Sequence, residues 1–72
     1  MLSDIDRATL DVEAQHWRHA GTKEAAIREQ LGMSSIRYYQ RLARLADDPD
    51  AIAYAPAVTR RLRSIKDRAP RR

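Results

Sequence analysis

Apolar residues recur along the chain at intervals of three and four, the period of an amphipathic helix, and nowhere alternate at the period of two that a strand requires. The pattern predicts an all-α fold. Ser3 offers an N-cap, with Asp6 three residues on as a short-armed capping-box acid. The helix starting there spreads Ile5, Leu10, Val12, Ala14 and Trp17 over a broad sector and is expected to run to Ala20-Gly21, where glycine can close it in the left-handed conformation. Thr22 is placed to cap a second helix, Glu24 in its first turn suits the helix dipole, and Ala25, Ala26, Ile27 and Leu31 give it an apolar stripe ending at Leu31-Gly32. Met33 then plugs the core across the turn, and Ser34 or Ser35 caps a third helix. Asp47-Asp48-Pro49-Asp50 stops that helix and begins a short helical turn, with Pro49 at the first helical position. Pro56 makes a second start, after which Val58, Leu62 and Ile65 recur at i, i+4 and i+7 as the docking face of a basic fourth helix. After Ala69-Pro70 the final Arg71-Arg72 is expected to fray.

The connection between the second and third helices is short enough to force them together steeply, as in a helix-turn-helix. The expected architecture is therefore a three-helix helix-turn-helix domain over residues 1–55 followed by a basic C-terminal helix and tail over residues 56–72. Within it, residues 34–46 divide most cleanly into faces. At about 100° per residue, Arg37, Gln40, Arg41 and Arg44 fall within an arc of roughly 100°, while Tyr38, Tyr39, Leu42, Ala43, Leu45 and Ala46 crowd the opposite side.

Three guanidinium groups and a carboxamide are the side chains that fork onto guanine, adenine and phosphate edges. Arg37, Gln40, Arg41 and Arg44 are accordingly candidate base contacts on double-stranded DNA. Ser34 and Ser35, at the start of the same helix, are candidates to hold a phosphate, joined by Lys23, Arg28 and the Tyr38 hydroxyl. A solvated surface helix also carries arginines, but it ordinarily mixes signs, and this face contains no acid. One feature departs from the usual motif: Arg28 stands four residues before the turn glycine, where two touching helices commonly place Ala or Gly. Its stem must snorkel outward, or the helices meet unusually.

Charge sharpens the picture. The net charge is +4, but residues 1–30 carry four basic and six acidic groups and residues 31–72 carry ten and four. The cationic half points at an anionic partner. Arg60, Arg61, Arg63 and Lys66 are candidate phosphate contacts, continued by Arg68, Arg71 and Arg72 and opposed by Asp67, in a segment that would equally serve as a solubilising helix.

Seventy-two residues make one domain with a small core, too small for a large substrate pocket, and no nucleophile, base and orienting acid suggest an enzyme. Cysteine is absent, so neither a disulfide nor a thiolate zinc site supplements the core. His16 and His19 lack further ligands, with His16 expected on the core and His19 on the surface, and Pro49 interrupts any calcium-loop pattern among Asp47, Asp48 and Asp50. No cofactor or metal is expected. Nor is a membrane span or a secretory signal, so a cytoplasmic, nucleoid-associated protein is. Trp17 and Tyr39 should be the largest core contributors, and Leu10, Val12 and Trp17 on the acidic first helix suggest a homodimer surface.

The run Trp17-Arg18-His19-Ala20-Gly21-Thr22-Lys23-Glu24, then Ala26-Ile27-Arg28 and Met33-Ser34-Ser35-Ile36-Arg37-Tyr38-Tyr39-Gln40, resembles a short family of unassigned function from actinobacteria and their phages. The likeness continues through Asp50-Ala51 to Pro56 and Arg60-Arg61-Leu62-Arg63, nearly the whole chain. It implies a small helical protein of helix-turn-helix type and such an origin; where relatives often place a second aromatic beside the tryptophan, this chain has His16. The expectation is sequence-dependent duplex DNA binding by a transcriptional or genome-maintenance regulator. The alternative is a protein-binding regulator that docks the same cationic helix on a host factor such as RNA polymerase, a sigma factor or a nucleoid protein. Nonspecific architectural binding is a third possibility.

Overall fold

Ser3 opens the first helix as a complete capping box: its hydroxyl accepts from the Asp6 N–H at 3.1 Å, and its own N–H donates to the Asp6 carboxylate at 3.4 Å. The computed structural model describes residues 1–68, with side chains through residue 65, so the expected contact at Lys66 and the fraying of Arg71-Arg72 lie outside what is described. The described residues are helical without strands: α1 (Asp4–Ala14), α2 (Ala20–Ala26) continuing into a π-helical turn (Ile27–Leu31), α3 (Ser35–Leu45), α4 (Pro49–Tyr54) and α5 (Pro56–Arg68).

The first helix ends well short of the expected glycine. Residues 15–19 form a non-helical link, because the Val12 carbonyl accepts both the Gln15 N–H at 3.2 Å and the Trp17 indole N–H at 2.8 Å, which turns the chain out of the helical path. Gly21 lies inside α2 without a positive φ, and His19 rather than Thr22 occupies the N-cap. His16, expected on the core, is exposed in the link.

From there the expected punctuation holds. Gly32 is left-handed at φ 65° and its N–H caps the Arg28 carbonyl at 3.1 Å. Ser34 caps α3, accepting from the Arg37 N–H at 3.3 Å. Asp48 caps α4 by accepting from the Asp50 N–H at 2.8 Å, with Pro49 in the first turn. The short helical turn expected at Pro49 is thus a helix of its own.

The core gathers Leu2, Leu10 and Val12 before α2, Ile27 and Leu31 from the π-helical turn, Tyr38, Leu42 and Leu45 from α3, Ala51 from α4 and Val58 from α5; Trp17, Met33 and Leu62 close its edges. Buried Thr9 and Thr59 satisfy their hydroxyls on the Ile5 and Ala55 carbonyls at 2.7 and 3.1 Å. Several side chains depart from expectation. Of the two adjacent tyrosines only Tyr38 is buried; Tyr39 is 49% exposed, because the inward direction of α3 is set by Tyr38, Leu42 and Leu45. Ala43 is exposed, and Ile65 is exposed where α5 runs past its contact with the core. Leu10 and Val12 are fully enclosed, so the dimer surface expected of them does not exist.

A left-handed residue that acquires a Cβ loses about 1 kcal/mol or more. At Gly32 that Cβ would meet nothing within 4 Å, so Gly32→Ala isolates the backbone cost. Urea unfolding should show a loss of about 1 kcal/mol for Gly32→Ala and a neutral or slightly positive change for Gly21→Ala, which lies in a helix with equal room.

Candidate nucleic-acid interface

Helix α3 is pinned on its inner side, against α1, the π-helical turn and α5, by Tyr38, Leu42 and Leu45. With that side fixed, the 3.6-residue period carries Arg37, Gln40, Arg41 and Arg44 to one outer surface, where they line an open concavity of about 300 Å³. The sequence-defined quartet is therefore brought together. Its members differ in freedom. The side chains of Arg37 and Gln40 are exposed and have no hydrogen-bonding or charged partner among the described residues. Arg44 is 66% exposed and reaches Asp6 at 3.4 Å, whereas Arg41 is held by the same Asp6 oxygen at 2.7 Å.

Asp6 is 15% exposed. Burial alone would raise its carboxyl pKa, but the Arg41 guanidinium and the Ser3 cap outweigh burial and hold it below the usual carboxylate range. A carboxyl depressed in the folded state contributes stability above its unfolded pKa, and that contribution is lost as pH falls through the folded value. Stability of the native chain should accordingly fall on acidification below the ordinary value of 3.8, more steeply than in Asp6→Asn, as read by urea titrations across that window.

Glu13 is the second acid that the charge count did not single out. Its carboxylate, 11% exposed, accepts from the Tyr38 hydroxyl at 2.6 Å, Lys23 Nζ at 2.8 Å and Arg61 Nη2 at 3.3 Å; Arg61 also donates to its carbonyl at 2.9 Å. One side chain on α1 thereby ties α2, α3 and α5. The signal was present: Asp6, Thr9, Leu10 and Glu13 stand at i, i+3, i+4 and i+7, so two acids flank a buried stripe and need cationic or hydroxyl partners to remain there.

This network gives several of the expected phosphate contacts internal partners. Tyr38 is wholly buried with its hydroxyl given to Glu13; burial first, then that hydrogen bond and the nearby charge, push its pKa up. It cannot reach a backbone phosphate. Lys23 is 17% exposed and sits 5.2 and 5.4 Å from the Tyr39 and Tyr38 ring centres. Burial lowers its pKa, but Glu13 more than offsets this and raises it overall, so the ammonium stays charged and internally paired. Arg61 and Arg63 tether α5, Arg63 by donating to the Ala46 carbonyl at 2.9 Å. Arg28 and Arg60 are exposed and have no charged partner among the described residues. Ser34 and Ser35 lie where α3 begins, Ser34 exposed and Ser35 half-buried.

Among the described residues, no group of three or more His, Cys, Asp or Glu could hold a metal ion, and no helix is long and apolar enough to cross a membrane. Searches of curated proteins and of solved structures found no match. The model of one protein family, described as a protein of unknown function (DUF3263), matches residues 1–72, and the chain belongs to that family.

Proposed function

We propose that this chain binds double-stranded DNA as a helix-turn-helix protein, with α3 in the major groove, and serves as a small transcriptional or genome-maintenance regulator. The observation that carries the reading is the convergence of Arg37, Gln40, Arg41 and Arg44 on one open surface with no acid among its lining residues. It is supported by the left-handed Gly32 in a short connection between α2 with its π-helical extension and α3, a turn residue common in that motif. In this reading Arg37 and Gln40 reach guanine and adenine edges directly, Arg44 needs only to leave a long contact, and Arg41 is oriented by Asp6. Ser34 and Ser35 present the helix start to one phosphate, and exposed Arg28 and Arg60 approach the flanking backbone.

A single module covers few base pairs, so specificity calls for a homodimer or cooperative neighbours, through a surface other than enclosed Leu10 and Val12. Mobility shift with random-sequence duplexes at physiological salt tests the reading, run beside a pull-down from host extract. A shifted duplex supports it. Capture of a protein with no shift of any duplex overturns it in favour of a protein-docking regulator.

Asp6 places a negative charge against the proposed contact surface. In titrations over several salt concentrations, Asp6→Asn should bind all duplexes more tightly, and its log–log salt slope should be steeper by about one unit.

A further inference from the structure

Ile36, in the first turn of α3, is 71% exposed and packs on nothing in the hydrophobic core. Tyr39 is also partly exposed, but its ring makes an edge contact with Tyr38 at 5.0 Å and lies under Lys23, which gives it an internal role. Ile36 has none. It precedes Gln40 by four residues and exposed Ala43 by seven, so the three share one side of α3. Arg41 reaches Asp6 from the α1 side of the same helix. The outer surface is thus graded: guanidinium groups on the α1 side, the carboxamide of Gln40 in the middle and an apolar border formed by Ile36 and Ala43.

A polyanion whose charged edge lies beside a small apolar group fits this gradient. In the major groove the apolar group is the thymine 5-methyl, and the N-terminal part of a recognition helix is the part that reaches it. We propose that Ile36 determines specificity by covering thymine 5-methyl groups beside the base pair that Gln40 reads, biasing the target toward A·T pairs at that position. The inference rests on the DNA-binding reading above and deepens it.

The test uses a duplex enriched by this protein from a random-sequence library, synthesised once with thymidine and once with deoxyuridine, which lacks the methyl. Wild type should lose about fourfold in affinity for each methyl it covers, the factor that corresponds to burying one such group. Ile36→Ala should bind both duplexes alike while keeping its preference for the enriched duplex over a shuffled one. Because Ile36 is exposed, this variant should unfold at the wild-type urea concentration, which separates recognition from folding. Equal binding of the thymidine and deoxyuridine duplexes by wild type overturns the inference alone. So does a methyl dependence that survives in Ile36→Ala. A chain that retains no duplex overturns the inference together with the reading beneath it.

Discussion

Glu13→Ala should lower the unfolding free energy by about 3 kcal/mol, the low end of the cost of breaking a buried charge cluster. The variant strands two partners at once, the Tyr38 hydroxyl, which has no solvent exposure to fall back on, and the largely covered Lys23 ammonium, while half-exposed Arg61 keeps its bond to the residue-13 carbonyl. Against the few kcal/mol that hold a small domain together, this is enough to populate unfolded chains. Glu13→Gln keeps the shape and one acceptor oxygen and should lose less. Tyr38→Phe removes a single hydrogen bond and should lose about 1 kcal/mol. Urea unfolding ranks the three. If Glu13→Ala were no less stable than Tyr38→Phe, the carboxylate would not be the tie between α1 and the other helices.

The second large effect concerns recognition. Arg37 carries an exposed guanidinium without an internal partner, so Arg37→Ala should leave the fold unchanged and remove one base contact. A forked arginine–guanine contact is worth about 1–3 kcal/mol of discrimination. Affinity for an enriched duplex should therefore fall by between about fivefold and more than a hundredfold, with a much smaller loss on a shuffled duplex that reflects charge alone. Arg41→Ala is a less clean probe, because it also deprives Asp6 of its 2.7 Å partner and leaves Arg44 at 3.4 Å as the remaining cation. Equal losses on both duplexes for Arg37→Ala would reduce α3 to a phosphate-binding element.

What could be read from residue order alone follows from where the determining interactions lie. Ser3, Gly32, Ser34, Pro49 and Pro56 act within four residues of their own positions, through caps and fixed φ, so the ends they set are visible in the chain. The C-terminus of α1 is different: its stop is the Trp17 indole folding back onto the Val12 carbonyl, a contact that depends on where the link carries the ring. Nor could helical period alone choose between Tyr38 and Tyr39, because Tyr38 lines up with Leu42 and Leu45 and Tyr39 with Leu42 and Ala46; the packed helix turns Tyr38 inward. The Arg37, Gln40, Arg41 and Arg44 cluster was legible because all four residues share one helix. The pairing of Arg41 with Asp6 and of Lys23 with Glu13 was not, since each spans helices far apart in sequence or separated by the non-helical link. Of the six acids before residue 31, Asp6 and Glu13 act as counter-charge for α3 and α5, whereas Asp4 pairs with Arg7 within α1.

The most direct measurement is selection of bound duplexes from a random-sequence library at physiological salt, repeated with Arg37→Ala. Wild type should enrich one short motif, and the variant should lose the enrichment at one of its positions. A library recovered without sequence preference, or no recovery above background, would contradict major-groove reading by α3.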